Sequence, residues 1–401
     1  MHSQTMEWGQ IIKGNLDSEF GIFDSAIDPE GNLLVCGHFQ KVVDIDITSD
    51  TKLITSNSGY DYYVAKYKQS QELLWVHTSS QTSTLSESAY RITSDQLGNV
   101  YVMGGENSPS SSFVLKLSPT GSVVWKKHFS FIKYYGTQFA FATIIDLKME
   151  ENGGVTVMGY YSDSTDFDPG PALVVLPASG GKSMFFVRLD ASGKFEWVKT
   201  IPPLVDDGVS EVTLRTKVVD REDNLYLLGS FTDSVDFDLD TGEYILHSSH
   251  DANVYLAKYT ADLELIWAKQ FIGEYNEWGP VYLRGDMSID GHDSLHVLIP
   301  SKGTIYDPSG ENYMFSHSSN KSQRYVKLDS DGRVIRSFQI GSGQEYGEIY
   351  AYPDGSFLIS AGTEPNGDLD PSPLGAMIFN ESDEYGDVAY MAKFDFLGNY
   401  M

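Results

Sequence analysis

Residues 218–269 read VVDREDNLYLLGSFTDSVDFDLDTGEYILHSSHDANVYLAKYTADLELIWAK. This stretch is one copy of a unit written about six times along the chain. Three landmarks carry the repeat. The first is an acidic turn ahead of an apolar run closed by glycine: Asp28 to Gly37, Asp95 to Gly104, Glu150 to Gly159 and Asp220 to Gly229, with weaker copies at Asp290 and at Asp354-Gly355-Ser356. The second is a basic residue in an aromatic or aliphatic segment: Lys66, Lys116, Arg188, Lys258, Lys327 and Lys393. The third is tryptophan at 75, 125, 197 and 267, with Arg336 in its place in the fifth copy. Nine residues separate the second landmark from the third in all five of these copies. A period of this length, filled with short strands, is the signature of propeller blades.

Each copy divides into four strands, a to d. Strand a is short (Ser25-Ala26-Ile27-Asp28), and a Gly-Asn or Asp-Asn turn of the kind tight hairpins prefer leads into strand b. Strands b and c are apolar at nearly every position, as in sheets covered on both faces. In the sixth copy the place for strand d falls one residue past Met401, while Glu7-Trp8-Gly9-Gln10-Ile11-Ile12 resembles an unpaired strand d ahead of the first strand a. Pairing it into the last blade removes two open sheet edges. The expected architecture is therefore all-β: one domain, 1–401, a six-bladed β-propeller of four-stranded blades closed by the N-terminal strand. The blades fall at 22–80, 88–130, 143–202, 214–273, 284–341, and 346–401 together with 6–13.

The chain resembles the secreted bacterial β-propeller proteins with SBBP-type repeats. The matching residues are Asp220 to Phe231, Thr165-Asp166-Phe167-Asp168-Pro169-Gly170, Asp61 to Tyr67 and Gly121 to Trp125. The family name implies seven blades, whereas six are counted here. The resemblance, which covers nearly the whole chain, implies a Bacteroidetes-like source and an extracellular or outer-membrane-surface location after removal of a signal peptide.

Lys and Arg number 28 against 56 Asp and Glu, a formal net charge of −28. Such a surface argues against nucleic acid, whose binding needs neutralised phosphates. No apolar run is long enough to span a membrane. The single cysteine, Cys36, excludes an intramolecular disulfide and reads as a small buried hydrophobe. A monomer is expected.

Two groups of residues are candidates for binding. The b–c connections carry paired acids: Asp44 and Asp46, Asp166 and Asp168, Asp236 and Asp238, Asp368 and Asp370. In an extended segment, residues i and i+2 point the same way, so each pair could converge on Ca²⁺; no other cofactor is required. The structural alternative is that each Asp caps its own turn. The second copy lacks this insert. The d–a connections, on the same face, carry Tyr134 and Tyr135, and Tyr275, Trp278 and Tyr282. Aromatic rings among carboxylates suit a glycan or a protein partner. No catalytic residue is assigned. The leading reading is an extracellular non-catalytic binding or scaffold propeller. A polysaccharide hydrolase or lyase with acids at the axial mouth is the first alternative, and a structural repeat spacer the second. The six basic residues are expected to be buried, each held by carbonyls or by an acid, with the Asp-x-Asp loops as the natural partners.

Overall fold

The apolar runs on either side of each acidic turn pair as antiparallel neighbours. In the computed structural model this produces six consecutive meandering sheets. The structure describes residues 13–14, 18–57, 59–79, 86–106, 111–130, 142–177, 181–204, 210–248, 252–271, 285–301, 322–340, 347–363, 388–399 and 401. All regular structure among them is β.

Two compact units divide the chain, the first comprising 1–178 and 185–199, the second 179–184 and 200–401. In the first unit, sheet one runs Glu19–Ile27, Leu33–Gln40, Asp61–Tyr67, Leu73–Thr78. Sheet two runs Glu87–Ser94, Val100–Glu106, Ser111–Leu117, Val123–Ser130. Sheet three runs Ala142–Met149, Val155–Tyr161, Ser183–Leu189, Phe195–Ile201, and the ends of its last two strands fall in the second unit. In the second unit, sheet four runs Val212–Val219, Leu225–Phe231, Asn253–Tyr259, Leu265–Phe271. Sheet five runs Asp286–Ile289, Leu295–Ser301, Ser322–Leu328, Val334–Ile340. Sheet six has three strands among the described residues, Gly347–Ala351, Phe357–Thr363 and Val388–Phe394. The segment 7–12, expected as the fourth strand there, lies outside the described residues. Lys13–Gly14, just after it, pairs with Val42–Asp44 in the b–c insert of sheet one.

Strand c is buried at all seven positions in sheets one, three and four. Within each unit the covering faces come from the neighbouring sheet. Leu34, Cys36, Tyr62 and Val64 of sheet one pack on Ala89, Ile92, Val102 and Phe113 of sheet two. Sheets four and five, and five and six, meet in the same way. Strand a is longer than expected, with a β-bulge in each of the first four sheets. The extra residue is Phe23, Tyr90, Ile145 or Arg215. Glycine closes strand b because the bulge brings backbone against it. A Cβ on Gly37 would lie 1.9 Å from the Gly21 carbonyl oxygen, and one on Gly229 would lie 1.9 Å from that of Thr213.

The three landmarks assemble at one end of the sheets, where the a–b and c–d turns lie. One oxygen of the turn acid builds the turn, and the other holds the base. Asp28 Oδ1 accepts the amides of Glu30 and Asn32 at 2.9 and 2.8 Å, while Oδ2 sits 2.6 Å from Lys66 Nζ. Asp220 repeats this with Glu222, Asn224 and Lys258, and Asp290 with His292, Ser294 and Lys327. In sheet three, Glu150 holds Arg188 at 3.0 Å. This corrects the expectation that the Asp-x-Asp loops hold the bases. The basic residue is the sixth of seven in strand c, beside the c–d turn, so its head reaches the a–b turn and not the b–c connection at the other end.

Two copies depart from the acid–base pair. Lys116 donates to the carbonyls of Gly153 and Ala191 in sheet three's turns. In sheet six the turn acid is not Asp354: the turn closes from Tyr352, whose amide bonds to Ser356, and the Lys393 ammonium lies 4.7 Å above the Tyr352 ring.

Tryptophan, the third landmark, joins one sheet to the next. The indole N–H of Trp75 donates to the Pro119 carbonyl, that of Trp125 to Ala191 and that of Trp267 to Ser330, each in the next sheet's c–d turn. Gly121 in the first of these turns has φ +82°, and a Cβ there would lie 2.7 Å from the Trp75 ring. Glycine is thus required twice over, by backbone conformation and by the ring.

Candidate functional site

The opposite end of the sheets, where the b–c and d–a connections leave, carries the binding candidates. Asp44, Asp166 and Asp236 hold their own loops. Asp44 Oδ1 accepts the amides of Asp46 and Lys52, Asp166 Oδ1 those of Asp168 and Val174, and Asp236 Oδ1 those of Asp238 and Tyr244. The residue inside each pair, Ile45, Phe167 or Phe237, is fully buried. Asp46, Asp168 and Asp238 cap the next turn through Thr48, Gly170 and Asp240. The turn-capping alternative therefore accounts for these six carboxylates. No group of three or more acidic, histidine or cysteine side chains able to hold a metal occurs among the described residues. Asp368, Asp370, Tyr134, Tyr135, Tyr275, Trp278 and Tyr282 lie outside the described residues.

A different cluster stands at this end of sheets one and two. The residue eight before the turn acid, on strand a, faces the residue eleven after it, on strand b, across an antiparallel rung. In sheets one, three and four that rung is Phe20–Phe39, Ala142–Tyr161 and Val212–Phe231. In sheet two it is Glu87–Glu106. Lys126 donates to Glu87 Oε1 at 3.1 Å and to Glu106 Oε1 at 3.0 Å, with its head 4.1 Å from the Phe113 ring centroid and 5.2 Å from that of Tyr62. His128 Nδ1 lies 3.3 Å from Glu106 Oε1, and the Tyr62 hydroxyl lies 3.4 Å from His77 Nε2.

The electrostatics of the pair are unequal. Burial raises the Glu87 carboxyl above the ordinary range, outweighing Lys126. Glu106 also meets the burial penalty, but the Lys126 hydrogen bond and charge, with His128, hold it below its ordinary value. Burial, then the charges of Glu87, Glu106 and Asp61, raises the Tyr62 phenol. Burial and then Lys126 lower His77. Buried side-chain oxygens without a geometric hydrogen-bond partner occur on Asp61, Ser79, Glu87, Asn253 and Gln270 among the described residues, and the Ser79 hydroxyl stands close enough to Glu87 to lower its carboxyl. Unpartnered oxygens this deep are costly, and a native structure normally fills them.

Beside this cluster lies an aromatic shelf. The two bulge residues Phe23 and Tyr90 are each 43% exposed, with ring centroids 5.5 Å apart. Phe23 meets His38 edge to face at 4.8 Å, and His38 lies 4.5 Å from Tyr60. The shelf and the cluster join through backbone and side chain: the Glu87 amide donates to the Tyr60 carbonyl, and His38 Nδ1 lies 3.2 Å from Ser88 Oγ. The Tyr60 hydroxyl is bonded to the Glu19 carboxylate. A bulge re-aims the side chain it adds, and these two bulges turn rings outward where sheets three and four turn out Ile145 and Arg215.

Sequence reasoning missed Phe23, Tyr90, Glu87 and Glu106. Their signal is positional. Phe23 and Tyr90 stand five residues before the turn acids Asp28 and Asp95, and Glu87 stands eight before Asp95, where the first, third and fourth copies carry Phe20, Ala142 and Val212.

No protein-family profile matches the chain, and no curated protein does. Among solved structures it is similar to an apocarotenoid oxygenase from Synechocystis at 13% identity, over 84% of this chain and 65% of that one, with a TM-score of 0.34. It is also similar to a DUF4221-family member from Bacteroides vulgatus at 11% identity, over 85% and 86% of the two chains, with a TM-score of 0.35. A NanB sialidase from Streptococcus pneumoniae matches at 10% identity over 96% and 63%, with a TM-score of 0.35. The chain spans just under two thirds of the oxygenase and sialidase lengths. Likenesses this distant assign no function to it.

Proposed function

We propose that the chain is a closed six-bladed propeller that binds carbohydrate, without catalysis, at the loop end of blades one and two. The observation that carries this reading is the outward-facing Phe23–Tyr90 shelf beside a carboxylate rung that sheets one, three and four build from apolar or aromatic residues. Exposed ring faces stack on the C–H face of a sugar, and neighbouring carboxylates and a lysine take its hydroxyls. The SBBP-type resemblance supports a bacterial cell-surface setting and a monomer. Ring closure by residues 7–12 is supported by the three-stranded state of sheet six among the described residues.

The test is calorimetry against a panel of neutral, acidic and amino oligosaccharides. At least one is expected to bind, and Phe23→Ala with Tyr90→Ala is expected to weaken it about tenfold, the worth of a lost ring contact. No binding across the panel, or full affinity in the double variant, would overturn the reading.

The unequal proton affinities of Glu87 and Glu106 favour a second reading, a hydrolase or lyase using one as acid and the other as base. Against it, both carboxylates converge on one ammonium. Glycosidase pairs instead face each other across a substrate, roughly 5–9 Å apart. Product release from the same panel distinguishes the two readings.

A further inference from the structure

The aromatic shelf rests on two glycines that the sheets do not require. Ahead of each bulge, the residue seven before the turn acid pairs with the residue ten after it. In sheets three and four this rung is Thr143–Tyr160 and Thr213–Ser230, with side chains on both strands. In sheet one it is Gly21–His38, and in sheet two Ser88–Gly105. Neither glycine has a positive φ, so the backbone asks for glycine at neither position. What crowds out a side chain there is a ring of the shelf. A Cβ on Gly21 would lie 3.1 Å from His38 Nε2 and 3.3 Å from its Cδ2. One on Gly105 would lie 3.2 Å from Tyr90 Cε2, with the nearest backbone atom at 3.6 Å. Gly37 and Gly104 differ, since a Cβ there would lie 1.9 and 2.4 Å from the carbonyl oxygens of Gly21 and Ser88. Glycine within a strand weakens it, and a ring laid over the bare backbone is a known compensation.

Resting on the carbohydrate reading above, we propose that Gly21 and Gly105 are positioning residues of the binding shelf. With no Cβ at 105, the Tyr90 ring settles against strand b of its own sheet and still leaves the residue 43% exposed. With no Cβ at 21, His38 settles against strand a, where it meets Phe23 edge to face at 4.8 Å and lies 3.2 Å from Ser88 Oγ. The Phe23 and Tyr90 rings are thereby set 5.5 Å apart at 48° before any sugar arrives. Rings held in this way lose little side-chain freedom on binding. A side chain at either glycine would push its ring off the strand, while the strand itself would be strengthened.

The experiment is calorimetry of the full chain with cellotetraose, tetragalacturonate and a glucosamine tetramer, the neutral, acidic and amino members of the panel, alongside thermal melting. For each probe that binds, Gly105→Val is expected to weaken binding about threefold, the loss expected of Tyr90→Ala alone. Its melting temperature is expected to equal or exceed that of the wild type. In the Tyr90→Ala background the same substitution is expected to cost no further affinity. Gly21→Val is expected to behave in the same way against His38→Ala. Gly105→Ala and Gly21→Ala, which add a single methyl, are expected to fall between wild type and the valine variants, and they carry the test if a valine variant does not melt cooperatively. Full affinity in the glycine variants, with the Phe23→Ala and Tyr90→Ala double variant still weakened, overturns the positioning role and leaves the carbohydrate reading standing. A further loss in the Tyr90→Ala and His38→Ala backgrounds overturns it as well, because the glycines would then act on something other than these rings. So does a lowered melting temperature in the alanine variants, which would assign the glycines to the sheet. No heat from any of the three probes, or full affinity in the double variant, overturns the carbohydrate reading and the positioning role with it.

Discussion

The two ends of the sheets treat a buried charge in opposite ways. At the turn end, Asp28 divides its oxygens between two backbone amides and Lys66, and Asn32 Nδ2 adds a further bond to Oδ2 at 3.0 Å. At the loop end of sheets one and two, Glu87 and Glu106 share one lysine. The first arrangement recurs with small changes through the repeat, as a part of the architecture must. Among the described residues the second occurs in sheet two alone, on a rung that sheets one, three and four build from apolar or aromatic residues. Recurrence marks what holds the fold, and the break in recurrence is where the proposed binding site stands.

The largest expected effect lies at the turn end. Lys66→Met strands Asp28, whose side chain is fully buried, and should cost about 3–5 kcal/mol in denaturant unfolding, the usual result of removing one partner of a buried pair. Next comes the opposite change at the loop end. Converting sheet two's rung to that of sheet four, by Glu87→Val and Glu106→Phe together with Lys126→Ala, should leave stability unchanged or raise it by about 1–4 kcal/mol, with loss of sugar binding. A loss of stability there instead would place the network with the architecture and break the comparison.

Acid should separate the two ends further. Against the burial penalty, hydrogen bonds to Lys66 and Asn32 hold Asp28 below its ordinary value, and Asn224 and Lys258 do the same for Asp220. Groups depressed in this way contribute stability that is present above their unfolded value near 4 and lost as pH falls through the folded value. Glu87 is raised, so the cost of its charge is absent below the unfolded value and appears as pH rises through the folded one. Stability between pH 7 and 3 should therefore fall less steeply in Asp220→Asn than in the wild type, and more steeply in Glu87→Gln.

Smaller effects test the joints. Trp75→Phe removes the N–H that bonds the Pro119 carbonyl and should cost about 0.5–1.5 kcal/mol. Trp8→Phe should cost the same if residues 7–12 complete the last blade; no change would leave the ring open. The smallest expected effect is that of calcium. Asp44, Asp166 and Asp236 already accept two amides each through Oδ1, so added Ca²⁺ after chelation should leave the melting temperature where it is. A rise would show that the loops open to take the ion.

Much of the sheet order was legible because it repeats. The fixed spacing from Lys66 to Trp75 and its copies placed strands c and d, and the apolar run after each acidic turn placed strand b. The site was not legible for the same reason. A landmark reading attends to what recurs, and Glu87, Glu106, Phe23 and Tyr90 are departures. Phe23 and Tyr90 were hidden further by the bulge. Period-two alternation breaks at the inserted residue, so their outward direction follows from the register with strand b and not from their own segment. The Lys66–Asp28 pair was missed because both the b–c loop and the a–b turn offer acids. Only the position of Lys66 near the end of strand c decides between them.

The indole joints also set a timetable for synthesis. Trp75, Trp125 and Trp267 each dock on a turn made later: Pro119 lies 44 residues beyond Trp75, Ala191 66 beyond Trp125, and Ser330 63 beyond Trp267. At about 5–20 residues per second, the outer strands of sheets one, two and four wait about 2–13 s for their cover to leave the ribosome. A nascent chain therefore carries one unfinished edge that moves along with elongation. A codon-level pause just before residue 119, 191 or 330 would prolong the exposure of that edge to chaperones and to other nascent copies.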